Sequence, residues 1–83
     1  MNRDEIEDEL LRIFREEFEI VNPGLDDNLR EVHGFDSIDG IELLREIEIM
    51  IDVELTRDQK EVAMEIQTLN QLFTYVESLV PQH

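Results

Sequence analysis

The chain has no cysteine, so it has no disulfide framework, no thiolate metal site and no cysteine nucleophile. Basic residues are scarce, seven Lys and Arg against 22 Asp and Glu, for a formal net charge of -15. A nucleic-acid binder needs a basic face to neutralise phosphates, and no basic cluster stands out in this sequence. Adhesion to anionic lipid headgroups is disfavoured for the same reason. No apolar run approaches membrane-spanning length, and the first twenty residues are too charged for a secretory leader. The expectation is therefore a cytoplasmic protein that neither inserts into a membrane nor binds nucleic acid.

What is present is a regular apolar pattern. Acidic chains poor in apolar residues tend to remain unfolded. Here apolar residues make up 41% of 83, and their helical spacing favours a folded domain over 1–83, which is expected to be a monomer. A chain of this length supports one thin core and leaves little room for a catalytic cleft with supporting residues, which argues against an independent enzyme.

Asn2 with Glu5 forms a capping box ahead of a helix over 3–18, with Ile6, Leu10, Ile13, Phe14 and Phe18 as its buried stripe. Asn22-Pro23-Gly24 interrupts the pattern, and the residues up to Phe35 read as a long irregular connection anchored by Leu25, Leu29 and Val32. Asp36 is an N-cap, with Asp39 in the first turn, for a second helix reaching Ile51 through Ile38, Ile41, Leu43, Leu44, Ile47 and Met50. Thr56 with Gln59 opens a short third helix over 57–64. Thr68 with Gln71 opens a fourth, with the stripe Leu69, Leu72, Phe73, Val76 and Leu79 and a stop at Pro81. The expected fold is an all-α four-helix bundle with a long connection between the first two helices and a short third helix.

The chemistry concentrates in Gly34-Phe35-Asp36-Ser37-Ile38-Asp39-Gly40-Ile41-Glu42-Leu43-Leu44. A serine in the first turn of an amphipathic helix, just past a glycine, is within reach of another protein's active site. The free amides of that turn tolerate a phosphate, although Asp36 and Asp39 repel one. The plain alternative is that Ser37 merely assists Asp36 in capping.

Asp36-Ser37-Ile38, with Gly34, Asp39, Glu42 and Leu43 around it and Thr68-Leu69, Leu72 and Tyr75-Val76 downstream, resembles the acyl carrier protein family over nearly the whole chain. The resemblance implies an acyl-carrier-type bundle in which Ser37 receives 4′-phosphopantetheine from coenzyme A through a phosphopantetheinyl transferase. The arm's thiol would then hold acyl intermediates of fatty acid, lipid or related biosynthesis as thioesters. It implies a non-catalytic carrier that presents this cargo to acyl-transfer or synthase enzymes with basic docking patches. The second helix would be the recognition surface, through the acids Asp36, Asp39, Glu42, Glu46 and Glu48 and the apolar Ile38 and Ile41.

Several residues depart from the family pattern. Gly40 interrupts a helix at a cost of about 1 kcal/mol relative to Ala. Arg45, Ile49 and Met50 stand where other residues are usual, and the stretch between Asp52 and Thr68 is a few residues longer than usual. These point to a specialised member rather than the general fatty acid carrier, with Ile49 and Met50 open as partner or dimer contacts. Peptidyl and D-alanyl carriers, or an acidic helical interaction module with no prosthetic group, are the alternatives.

Other chemistries fail on spacing. An EF-hand register with Gly40 sixth puts Phe35 at the first ligand position, and one with Gly34 sixth puts Leu29 there. His33 and His83 are too far apart in sequence to suggest a local metal site, so no metal site is expected. Ser37, His33 and an aspartate lack the nucleophile-elbow pattern of a hydrolase.

Overall fold

The computed structural model describes residues 2–80, which form five helices: α1 (Arg3–Phe18), α2 (Leu29–His33), α3 (Ser37–Ile51), α4 (Arg57–Ala63) and α5 (Leu69–Leu79). The four long-range expectations from periodicity fall on α1, α3, α4 and α5. Pro81, the expected stop, and His83 lie outside the described residues.

Helix starts follow from side-chain chemistry. Capping boxes open α1 (Asn2 with Glu5), α3 (Asp36 with Asp39), α4 (Thr56 with Gln59) and α5 (Thr68 with Gln71), each satisfying backbone donors that the first turn leaves without partners. Three non-glycine residues, Glu19, Asn22 and Asp52, take positive φ; Glu19 and Asp52 do so as the C-caps of α1 and α3.

The core is built where the apolar stripes converge. Ile6, Leu10, Ile13 and Phe14 of α1 meet Leu43, Leu44 and Ile47 of α3 and Leu69, Leu72, Phe73 and Val76 of α5, all buried. Phe18 packs partly buried at the edge of this cluster. α4 contributes no fully buried residue. Its tie to the bundle includes the Tyr75 hydroxyl, which donates to the Gln59 carbonyl at 2.7 Å.

The connection after α1 differs from its irregular reading. Asn28 caps α2 by accepting from the Arg30 and Glu31 amides, and a single turn of helix forms. Of the three expected anchors only Leu29 is buried; Leu25 is 45% exposed and Val32 58%. The reason is that the segment is held largely by polar contacts. The Leu29 amide donates to the Gln67 carbonyl at 2.9 Å and the Asn70 amide to the Leu25 carbonyl at 3.1 Å. The Asn70 side chain donates to Asp26 at 2.7 Å. Backbone bonds to the α4–α5 turn thus replace the side-chain burial expected at Leu25 and Val32. Met50, which reads as exposed, packs half-buried against the core.

Candidate functional site

The start of α3 is fixed by three residues. Gly34 ends α2 at φ +68, a left-handed conformation that glycine adopts without strain, and its amide donates to the Arg30 carbonyl. Phe35 then turns inward, its amide bonded to the Leu29 carbonyl at 3.1 Å. Its ring lies 5.4 Å from that of Phe14 and 5.2 Å from that of Phe18. These separations are typical of stabilising aromatic pairs. Asp36 follows as the cap, so the chain reverses and the next residue is the first of α3.

That residue is Ser37. Asp36 accepts from the Asp39 amide at 2.9 Å, and Asp39 accepts from the Asp36 amide at 3.2 Å. The two aspartates complete the capping box between them. The Ser37 hydroxyl is exposed and makes no hydrogen bond among the described residues. Its chemistry is uncommitted, which removes the plain reading of Ser37 as a cap.

The surroundings leave Ser37 accessible and act on a phosphate in both directions. The Ser37 side chain stands at a helix N-terminus, where amide dipoles favour an anion, while the Asp36 and Asp39 carboxylates oppose one. Beside it opens a cavity of about 280 Å³ lined by residues including Asn28, Arg30, Phe35, Gly40 and Gln67. A second, apolar cavity of only about 40 Å³ lies among Leu29, Leu43, Leu44, Ala63 and Leu72. Gly40 borders both cavities.

The other candidate residues divide by position. Ile38 and Ile41 are 68% and 56% exposed, an uncommon state for isoleucine, and Asp36 and Glu42 are exposed near them. Asp39 and Glu46 are half-buried on the flank. Glu48 turns toward α4, and its carboxylate accepts from the Leu55 amide at 2.9 Å. His33 contacts Asp27 at 3.3 Å in the preceding connection, away from Ser37's hydroxyl. Among the described residues no group of three or more acidic or histidine side chains is arranged to hold a metal.

Sequence reasoning missed Arg57 and Lys60, which α4 brings beside Arg45 of α3. The only signal was the rarity of bases in the chain, and their meeting depends on how α4 docks.

The family model for the phosphopantetheine attachment site matches residues 8–76. The match takes in Ser37 and all of α2, α3 and α4, and the chain belongs to this family of phosphopantetheine-carrying carrier proteins. Carriers of this family hold 4′-phosphopantetheine covalently on a serine and are modified by a phosphopantetheinyl transferase rather than being catalysts themselves. No curated protein shows a significant match to the chain.

Proposed function

We propose that the arm is attached at Ser37 and that the chain is a single acyl carrier domain serving fatty acid, lipid or related biosynthesis. The observation that carries the assignment is the free Ser37 hydroxyl at the start of α3, next to a capping box that Asp36 and Asp39 complete without it. In attachment, Ser37 Oγ forms a bond to the phosphorus nearer the pantetheine in coenzyme A. The pyrophosphate P–O bond breaks, adenosine 3′,5′-bisphosphate leaves, and the hydroxyl proton passes to a base of the transferase. The bound arm supplies a terminal thiol that holds acyl groups as thioesters. The chain's own contribution is to present Ser37, to keep the first turn of α3 rigid and to offer Ile38, Ile41 and Glu42 to partners.

A cytoplasmic monomer is the working state of this reading. Among the described residues no helix is long and apolar enough to cross a membrane. The specialised role rests on the outer face of α3, where Arg45 is exposed and Ile49 is 75% exposed. Both would meet any partner that docks along that helix, and a partner built for an all-acidic face would find a cation and an apolar side chain instead.

The test is intact mass after incubation with coenzyme A, magnesium and a broad-specificity phosphopantetheinyl transferase. The expected result is a gain of one phosphopantetheine that Ser37→Ala abolishes while its circular dichroism stays unchanged. No gain by the folded protein, repeated with a transferase of its own organism, would favour the interaction module without a prosthetic group.

A further inference from the structure

Three of the chain's seven basic residues converge on one groove. Arg45 of α3 and Arg57 and Lys60 of α4 rim a depression of about 460 Å³ whose apolar surface comes from Ile41, Leu44 and Met64. Neither Arg45 nor Lys60 has a side-chain hydrogen bond or ion pair among the described residues. Of the two acids on the rim, Glu61 meets Arg57 at 3.3 Å, while Glu48 accepts from the Leu55 amide and keeps its charge. Three bases against two acids leave the groove net positive above an apolar floor, in a molecule of net charge -15.

Its direction follows from helix geometry. Ser37, Ile41, Leu44 and Glu48 are spaced by four, three and four residues, so they lie along one side of α3. At 1.5 Å per residue, the groove begins about one turn from Ser37 and Arg45 stands about 12 Å along the axis. Size and charge separate it from the two cavities near Gly40. The one of about 40 Å³ is too small for a cargo of several carbons. The one of about 280 Å³ beside Ser37 is larger, but it is lined by Glu31 and Asp36 against Arg30, so it does not favour a negative charge.

Building on the assignment of the arm to Ser37, we propose that the α3–α4 groove seats an acyl cargo that ends in a carboxylate. Arg45 and Lys60 pair with the carboxylate, while Ile41, Leu44 and Met64 cover the methylenes. A hydrocarbon end makes no use of the two free cations. A carboxylate is repelled by most of this acidic surface and attracted here, so the charge pattern gives the cargo one seat.

The test compares two four-carbon cargoes that differ at the far end. The protein is loaded by the transferase from succinyl-coenzyme A or from butyryl-coenzyme A, and intact mass verifies each product. Backbone amide shifts at Arg45, Lys60 and Met64 are then measured against the form carrying the bare arm. The succinyl form is expected to populate the groove roughly two- to fivefold more than the butyryl form, the range of an exposed ion pair. The excess should vanish in R45Q/K60Q, and in about 1 M salt, where the Debye length is about 3 Å. Equal shifts in two forms of verified mass overturn the groove assignment and leave the carrier reading standing. No mass gain from either thioester, with the gain also absent from coenzyme A itself, overturns the carrier reading and the groove with it.

Discussion

Gly40 shows how one residue trades helix stability for space. It lies inside α3, and a Cβ built on it would meet only Met64, with Sδ at 3.8 Å and Cε at 3.9 Å, which is ordinary contact. Nothing in the packing opposes a methyl group. Gly40→Ala is therefore expected to stabilise the protein by about 1 kcal/mol, the helix-propensity difference, read as a higher denaturant midpoint at constant slope. A lower midpoint would mean that Met64 cannot give way. Tyr75 does the reverse and spends a polar group on a tether. Burial first, and the Glu48 charge second, push its phenol above the ordinary value of 10.0. Above pH 10 the unfolded chain gives up this proton before the folded one, so the unfolded state binds fewer protons and stability falls as pH rises. Tyr75→Phe also removes the hydrogen bond to the Gln59 carbonyl, at a cost of about 1 kcal/mol near neutral pH. Thermal melts of the two proteins from pH 7 to 11 should converge as pH rises, and parallel curves would reject the linkage.

At the scale of elements, the helices that announced themselves were those opened by a capping pair, with a core stripe as well in α1, α3 and α5. Asn2/Glu5, Asp36/Asp39, Thr56/Gln59 and Thr68/Gln71 each open a helix where the sequence places them. α2 escaped because a single turn has no room for a stripe, and because the connection's hold on the bundle is carried by backbone bonds to Gln67 and Asn70 that no residue type reveals. Leu25 and Val32 misled for the same reason: an apolar residue in a connection need not be an anchor when polar contacts do the anchoring. The position of Ser37 in the first turn of α3 was legible because its neighbours specify a helix start. Its freedom from capping duty was not, since that depends on Asp39 reaching back to the Asp36 amide. The outer face of α3 carries a separate expectation. Glu42 is exposed and makes no hydrogen bond or ion pair among the described residues. Glu42→Lys should leave the melting temperature within a few degrees, as surface changes usually stay within about 0.5 kcal/mol. It should lower the rate of loading by the transferase or of acyl transfer by partners. Unchanged rates with both would remove α3 from the recognition surface.

For the whole molecule, charge and size act together. The Cα radius of gyration is 11.8 Å, close to the Debye length of about 10 Å at 0.1 M salt. At lower ionic strength most of the 22 carboxylates therefore feel one another across the fold. Surface pairs such as Arg12 with Glu9 and Glu16 work in the other direction, since salt weakens them, but each exposed pair contributes at most about 1 kcal/mol. With acids outnumbering bases by 22 to seven, repulsion outweighs pairing. Raising sodium chloride from about 10 mM to about 500 mM is expected to raise the melting temperature, by roughly 4–8 °C for each 1 kcal/mol of repulsion relieved. A falling melting temperature would show that the ion pairs dominate. Encounter with basic partners responds to salt with the opposite sign, because steering by a field of this charge weakens as it is screened. Transferase kcat/KM for this protein should therefore drop over the same range in which its fold tightens. If the two rose together, low-salt loading would be limited by partial unfolding of the carrier rather than by electrostatic encounter.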